Sequence, residues 1–220
     1  MIIESIKREK DKQDRYLVQF DDGAEIAVTA AQIADQGIYT GRELTEEDYV
    51  ELIESLEIST AKKKALQILG SRMLSKREIE KRLSSKGVTA ETAQTVTDWL
   101  EGIGAINDRE YAKSIADYYS AKGYGTARIR DELFKRGINR DLWDDAMVEI
   151  SEENDAAQPY ISKKLKGSID KEDLRRATDA LCRRGFSFEE ARTAVKRYVE
   201  AIEEGEVVEE GEAVEEDGYL

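Results

Sequence analysis

The clearest pattern in the chain is an amphipathic helix that ends at a glycine, and it occurs three times. Two apolar residues stand four positions apart, and a glycine followed by an apolar residue comes four positions later. The three copies are Ile79, Leu83, Gly87 and Val88; Ile129, Leu133, Gly137 and Ile138; and Ala177, Leu181, Gly185 and Phe186. Residues four apart share a helix face, and glycine is the residue that most easily takes positive φ at a helix end. Copies about fifty residues apart indicate a tandem repeat.

Further amphipathic stretches flank each motif helix, so each repeat is predicted to contain three helices. In the first repeat, a helix is predicted to begin near Ser59 or Thr60 and to run through Met73. Side chains suited to capping helix N-termini precede several of the later helices. These are Ser75, Thr89, Asn107 or Asp108, Asn139 and Ser187. The third helices carry Trp99 and Trp143 on their apolar stripes, which predicts core positions for both.

The N-terminal region follows a different period. Met1–Ile6, Tyr16–Phe20 and Ala24–Val28 alternate apolar and polar residues, which predicts three short strands. The segment 21–23 (Asp-Asp-Gly) is a hairpin signal, and 29–36 predicts a short helix. Thr45 is predicted to cap a helix that contains Leu52 and Leu56. Because so short a sheet is marginal alone, we expect it to pack on this helix.

These elements predict a mainly α-helical fold. Three tandem three-helix repeats are expected to form an elongated, right-angled or curved array. A small N-terminal β-meander and a helix precede them in the sequence. The predicted boundaries are 1–58 for the strand extension and its helix, 59–104, 105–152 and 153–202 for the repeats, and 203–220 for a disordered acidic tail.

Composition limits the chemistry that the chain can perform. The 220 residues contain no histidine and one cysteine, Cys182, so hydrolytic triads and structural zinc sites are excluded. Magnesium sites built from carboxylates remain open. Cys182 follows Leu181, an apolar position of the repeated motif. We interpret it as a packed or half-exposed thiol, not a nucleophile. We therefore predict neither an enzyme nor a bound cofactor.

The net charge of −14 is unevenly distributed. Residues 1–59 carry −9, residues 60–199 carry +5, and residues 200–220 carry −10. The repeats are thus mildly basic between two acidic ends, which favours an acidic partner over indiscriminate DNA binding. No apolar run is long enough to span a bilayer and the N-terminus lacks a signal-peptide pattern, so a cytoplasmic protein without membrane contact is expected.

The motifs resemble those of the bacterial RecX regulatory proteins. The resemblance covers about residues 60 to 199 and lies in the threefold motif, in Arg136–Ile138 and Arg184–Phe186, and in Asp108–Ala112. It also lies in the spacing of Ala65, Leu66, Leu69, Arg72, Leu74, Ser75, Glu78, Leu83, Lys86 and Gly87. The strand-rich segment before these residues looks like the N-terminal extension of longer members. The third copy departs from the pattern at Ala177, and the acidic tail is unlike the compact ending of the family.

The resemblance implies a non-enzymatic modulator of the RecA recombinase, acting in homologous recombination, DNA repair and the SOS response. Family members are expected to lie in the groove of the RecA–single-stranded-DNA filament across neighbouring subunits. There they would inhibit ATP hydrolysis, strand exchange and coprotease activity. The chain is expected to act as a monomer. The alternative is a helical protein that binds nucleic acid directly, because a glycine-turned helix pair resembles a helix-turn-helix.

The candidate partner-binding residues are the bases of the motif helices, because they lie on faces that the apolar stripe leaves free. They are Lys76, Arg77, Lys81, Arg82 and Lys86; Arg128, Arg130, Lys135 and Arg136; and Arg175, Arg176, Arg183 and Arg184. The alternative interpretation is a solvated surface, with Lys86, Arg136 and Arg184 placed to complement the helix dipole.

Two further features carry hypotheses of their own. Tyr118 and Tyr124 lie near basic residues and are candidates for stacking on bases of single-stranded DNA, whereas Tyr119 fits the apolar stripe. The acidic tail is either a solubilising appendage or a competitor for the basic faces. If it competes, removing residues 203–220 tightens binding.

Overall fold

A computed structural model describes residues 1–10, 12–70, 72–153 and 156–205, with the side chains of 149–153 excepted. The chain divides into two compact units, one of Met1–Gly70 with Glu80–Leu100 and the other of Ser71–Ile79 with Glu101–Leu220. The predicted acidic tail beyond residue 205 lies outside this description. None of the described helices is long and apolar enough to span a bilayer.

The first unit opens with the predicted three-stranded meander. Strands β1 (Ile3–Arg8), β2 (Tyr16–Phe20) and β3 (Glu25–Val28) pair antiparallel in chain order, with Ile3 opposite Phe20 and Val18 opposite Ile26. Helix α1 (Ala30–Asp35) follows, capped reciprocally by Thr29 and Gln32. The prediction of three strands, a hairpin turn and a short helix is confirmed.

Helix α2 (Glu46–Leu69) is one uninterrupted helix of 24 residues. The expected new helix start at Ser59 or Thr60 is therefore wrong, and the helix ends before Gly70 instead of running through Met73. Neither glycine nor proline interrupts α2, and Thr60 is held within it as a hydrogen-bond partner of the buried Gln32 amide at 3.2 Å. The predicted boundary at 58/59 thus falls inside a helix. Leu52 and Leu56 of α2 pack on the sheet residues Ile3, Val18 and Phe20.

Eight further α-helices follow in the described residues. They are α3 (Lys76–Ser85), α4 (Ala90–Gly102), α5 (Asp108–Ala121), α6 (Thr126–Lys135), α7 (Trp143–Glu153), α8 (Gln158–Leu165), α9 (Lys171–Arg183) and α10 (Phe188–Glu203). Asn139 caps a 3₁₀ turn, Arg140–Leu142, that leads directly into α7. The mainly helical fold and the three motif helices α3, α6 and α9 are confirmed.

Two apolar cores lie among the described residues of the second unit. Helices α5, α6 and α7 enclose one, which contains Ile115, Ile129, Leu133 and Met147. Helices α8, α9 and α10 enclose the other, which contains Ile161, Leu181, Val195 and Tyr198. Each core is contributed by three consecutive helices, as the hydrophobic pattern predicts.

Both tryptophans are half-buried, and Trp143 packs against the core that α5, α6 and α7 enclose. Lys62 Nζ lies 4.6 Å from the centre of the Trp99 ring, and Trp143 Nε1 donates a hydrogen bond to the Ile138 carbonyl at 3.1 Å. An indole N–H needs an acceptor when it is covered, so Trp143 sits where a helix-end carbonyl supplies one.

Candidate interaction surface on the repeated helices

The three motif helices end in the same turn. Gly87, Gly137 and Gly185 have φ of 81°, 71° and 93°. In each copy the glycine N–H donates to the carbonyl three residues back, and the next N–H donates to the carbonyl five residues back. This pair of bonds is the Schellman motif, which satisfies the last carbonyls of a helix. The threefold sequence pattern therefore encodes one backbone structure.

The apolar positions of the motif are fully buried in all three copies. Ile79, Leu83, Ile129, Leu133, Ala177 and Leu181 each have 0% exposure. The alanine in the third copy is thus a core residue and keeps the pattern of burial.

The start of α3 contacts the turn at the end of α6 within the second unit. Ser75 is fully buried, and its hydroxyl donates to the Arg136 carbonyl. The Lys76 amide donates to the Asp108 carboxylate at 2.9 Å, and burial raises the pKa of that carboxyl above its ordinary value. The Arg77 stem covers Gly137 so closely that an added Cβ would lie 2.4 Å from Arg77 Cδ.

The start of α6 contacts the turn at the end of α9 in the same manner. The Gly125 amide donates to the Arg184 carbonyl at 3.0 Å, and the Ala127 amide donates to the Gly185 carbonyl at 3.1 Å. A Cβ added to Gly125 would lie 2.4 Å from the Gly185 backbone. We call these two contacts the α3–α6 joint and the α6–α9 joint. Ser75 and Gly125 hold the same motif position, so the joint recurs with a hydroxyl donor in one case and an amide donor in the other.

The third motif helix starts differently. Asp173 holds the position of Ser75 and Gly125, but the N-cap of α9 is Asp170. Helix α9 therefore begins about one turn earlier than α3 and α6 do.

The Arg184 side chain closes the α6–α9 joint. Its Nε donates to the Gly123 carbonyl at 2.9 Å, and one terminal nitrogen donates to the Lys122 carbonyl at 2.7 Å. Its guanidinium lies 4.2 Å from the centre of the Tyr124 ring and 4.4 Å from that of Tyr160. The guanidinium lies between two aromatic rings and donates to two carbonyls, so each interaction fixes the orientation of its plane. Arg184 therefore has a structural role in this joint.

Three of the second copy's candidate bases converge on one buried carboxylate, Glu132. The distances from Arg128, Lys135 and Arg136 are 3.0, 2.8 and 2.7 Å. Burial alone would raise the pKa of Glu132, but hydrogen bonds from Lys135, Arg136 and Tyr119 outweigh it and lower the pKa. Burial likewise opposes the charge on Arg136, yet hydrogen bonds to Glu132 and Tyr111 raise the pKa of its guanidinium.

Three other candidate bases have carboxylate partners at the surface. Lys76 pairs with Glu101 at 3.1 Å, Arg130 with Asp144 at 3.5 Å, and Arg176 with Glu172 at 3.5 Å. The partners of Arg130 and Arg176 are mostly exposed, so these two ion pairs contribute little to stability and compete weakly with a partner's charge.

The remaining candidates make no ion pair with any described residue. They are Arg77, Lys81, Arg82 and Lys86 around α3, and Arg175 and Arg183 on α9. All are exposed except Arg82, which is half-buried. Arg77 and Arg175 hold the same motif position, so part of the basic pattern repeats. We call these six residues the unpaired basic set.

The two tyrosines proposed to stack on nucleobases are half-buried and contact basic side chains of their own chain. Lys122 Nζ lies 4.5 Å from the centre of the Tyr118 ring, while Arg128 and Arg184 both face Tyr124. Stacking on nucleic acid stays a prediction for Tyr118. It stays a prediction for Tyr124 as well, whose ring lies 4.2 Å from the Arg184 guanidinium of the α6–α9 joint.

Sequence reasoning missed two residues that organise this surface. Glu132 stands three or four residues from Arg128, Lys135 and Arg136, and that spacing on a helix was a usable signal. The close approach at Gly125 had no such signal, because its partner Gly185 is sixty residues away. Among the described residues, no group of three or more Cys, Asp or Glu side chains is arranged to hold a metal ion.

Comparison with known proteins places these features in a family. Models of the first and second three-helix domains of RecX match residues 61–100 and 107–147. The chain is 26% identical over 194 residues to the regulatory protein RecX of Clostridioides difficile strain 630, covering 86% of this chain and 91% of that relative. It is 31% identical over 140 residues to RecX of Xanthomonas campestris pv. campestris strain B100, covering 62% and 86%.

Two crystal structures share the fold. One, of a regulatory protein RecX, aligns with a TM-score of 0.66 at 22% identity over 89% of this chain and 98% of that chain. Another, of RecX from Lactobacillus salivarius, aligns with a TM-score of 0.58 at 21% identity over 64% and 96%. With the motif turns, the domain matches and these relatives in agreement, the chain belongs to the RecX family of regulatory proteins.

Proposed function

We propose that this protein is a non-enzymatic regulator that binds the RecA–single-stranded-DNA filament in its groove, across neighbouring subunits, and inhibits its ATPase, strand-exchange and coprotease activities. Family membership supports the regulatory role, because the relatives carry the name regulatory protein RecX. The filament, the groove and the direction of the effect belong to the proposal. A cytoplasmic location follows from such a partner.

The observation that carries the proposal at the level of residues is the unpaired basic set. Three bases of the second motif copy share an ion pair with the single carboxylate of Glu132, whereas Lys81, Lys86, Arg175 and Arg183 are exposed without an ion pair to the described chain. Bases that the fold leaves unpaired are available to acidic protein or phosphate at little cost, since no internal ion pair has to break. Several such contacts on one chain would add through avidity on a polymer that repeats.

A charge-reversal experiment tests this surface. One variant carries Lys81→Glu and Lys86→Glu, and another carries Arg175→Glu and Arg183→Glu. Each is added to RecA assembled on single-stranded DNA with ATP, and ATP hydrolysis and filament binding are measured. We expect each double variant to need about tenfold more protein for half-inhibition, because two charge-assisted contacts are reversed.

The matched control is Lys163→Glu with Lys164→Glu, which makes the same charge change on α8, where both lysines are exposed. It should inhibit like the unmodified protein, and all variants should keep the same circular dichroism. If both test variants inhibit normally, the unpaired basic set is not the contact surface. If the unmodified protein binds single-stranded DNA tightly but leaves RecA ATPase unchanged, direct nucleic-acid binding replaces the proposed function.

A further inference from the structure

The first unit contains a groove beside strand β3. It has a volume of about 350 Å³. Its walls come from β3, from the middle of α2 and from the turn between α3 and α4. The lining includes the apolar residues Ile26, Ala27, Ile53 and Val88 and two charged residues, Lys64 and Glu57. Ile26, Ile53 and Val88 are only half-buried, so the groove presents aliphatic surface that the described chain leaves uncovered.

The edge of β3 that faces outward has unpaired backbone groups. The Phe20 amide donates to the Ala24 carbonyl at 2.9 Å, and Val18 lies opposite Ile26. Hydrogen-bonded pairs alternate along an antiparallel ladder, so residues 24, 26 and 28 direct their amides and carbonyls at β2. Glu25 and Ala27 therefore direct theirs away from the sheet, and Ala27 lines the groove. An edge of this kind is a template for another strand.

The opposite edge of the sheet is partly occupied. The Ile3 amide donates to the Arg42 carbonyl at 3.0 Å, and Ile2 forms a bridge with Glu43. The β3 edge is thus the more open of the two among the described residues.

The far wall of the groove is the Gly87 turn, and it is open where its two counterparts are covered. A Cβ added to Gly137 or Gly185 would collide with a neighbouring segment at 2.4 or 2.5 Å, but one added to Gly87 would meet nothing within 4 Å. Lys64 Nζ reaches the Lys86 carbonyl at 3.3 Å and makes no ion pair with a described carboxylate. Lys64 is therefore a groove cation that forms no ion pair with the described chain, although the carboxylate of Glu57 also lines the groove.

We propose that the β3 groove binds an extended segment of the recombinase filament protein as an added β-strand. The segment pairs with the amide and carbonyl of Ala27 and Glu25, places an aliphatic side chain against Ile26, Ile53 and Val88, and sets a carboxylate against Lys64. The identity of the partner rests on the proposed function. The type of segment rests on the open strand edge, the aliphatic walls and the unpaired lysine. This gives the N-terminal extension a binding role besides its packing on α2.

Two substitutions test the groove by independent routes. Ala27→Pro removes the outward amide without touching the ladder to β2, and Lys64→Glu reverses the charge. The matched controls are Arg8→Pro and Lys63→Glu. Arg8 lies opposite Tyr16, and Glu9 donates to Arg15 at 2.9 Å, so the alternation turns the Arg8 amide outward on the other edge of the sheet. Lys63 is the exposed neighbour of Lys64. Affinity for the RecA–single-stranded-DNA filament is measured for all four variants, together with hydrogen exchange of the β3 amides.

We expect Ala27→Pro and Lys64→Glu each to weaken binding by about tenfold, the effect of losing one good hydrogen bond or charge contact. The controls should bind normally, and the filament should protect the Ala27 amide from exchange. If the unmodified protein binds the filament but both variants bind equally well without protection at Ala27, the groove is not a strand-binding site and the proposed function stands. If the unmodified protein does not bind the filament at all, both proposals are wrong.

Discussion

At the scale of single residues, Glu132 decides which bases of the second motif helix are available to a partner. Its side chain is 8% exposed and lies within 3.0 Å of three cations. A buried carboxylate needs such partners, because its desolvation would otherwise favour the neutral form. The same contacts that keep Glu132 charged give Arg128, Lys135 and Arg136 an internal ion-pair partner, while the Arg128 and Lys135 side chains stay 41% and 56% exposed.

Glu132→Gln should lower the free energy of unfolding by about 2 kcal/mol at pH 7. Removing one partner of a buried ion pair costs about 3–5 kcal/mol, and partial exposure of Arg128 and Lys135 reduces that cost. Urea denaturation at pH 7 measures the difference. The control is Asp131→Asn, an exposed neighbour on α6, which should be close to neutral.

The cost of Glu132→Gln should depend on pH in a defined direction. The pKa of Glu132 is lowered in the folded state, so its contribution is fully present above the unfolded value of about 4.3. The contribution is lost as the pH falls through the lower folded pKa. The unfolding free energies of the two proteins should therefore converge below about pH 4. A gap that stays constant down to pH 3 would mean that Glu132 acts through packing alone.

At the scale of elements, the joints show why a glycine can be required at ordinary φ. Gly125 has φ of −82°, which any residue can adopt, so its requirement comes entirely from the approach of the Gly185 backbone. Gly185 itself combines positive φ with a Cβ site 2.5 Å from the Arg128 amide. The joint thus brings two chain segments into contact without side chains between them.

Gly125→Ala should destabilise the second unit by about 2–3 kcal/mol, because the added methyl must push the α6 and α9 segments apart. The matched control is Gly102→Ala, at the end of α4, where an added Cβ meets nothing within 4 Å. It should range from neutral to a gain of about 1 kcal/mol. Urea denaturation of both variants compares them. An equal effect from the two substitutions would show that the close approach at Gly125 has no energetic weight.

Local patterns predicted the elements better than their junctions. Short-range periodicity predicts the motif helices, their glycine turns and the β-meander. Ala177 fits the motif as well, because this position requires a buried apolar residue and Ala177 is fully buried. The continuity of α2 past Ser59 was missed because a serine–threonine pair is ambiguous between a cap and a helix interior. The partners of Arg184 and Gly125 lie about sixty residues away, and no local pattern reports them.

At the scale of the whole molecule, the distribution of charge sets how the protein meets a polyanion. The net charge of −14 opposes approach to a nucleoprotein filament, whereas the central region carries +5. Salt should therefore weaken the attraction between the unpaired basic set and the filament. It should also weaken the repulsion between the filament and the acidic ends of the chain.

Removal of residues 203–220 deletes nine carboxylates and changes the net charge from −14 to −5. We expect the shortened protein to bind the filament more tightly at low salt and about equally at high salt, because screening removes the repulsion. A binding titration at two salt concentrations measures this. An affinity that is unchanged at both concentrations would exclude any electrostatic role for the acidic segment.

The early start of α9 has a consequence for adding a further motif helix to the chain. A fourth repeat would have to offer its glycine turn to the position of Asp173, as α6 and α9 do to Ser75 and Gly125. That position lies inside the first turn of α9, behind the cap at Asp170, instead of at a helix start. Copying the third repeat in tandem would therefore not reproduce the joint. A designer who wanted a further joint would have to copy the segment around α6, whose start and end each form one.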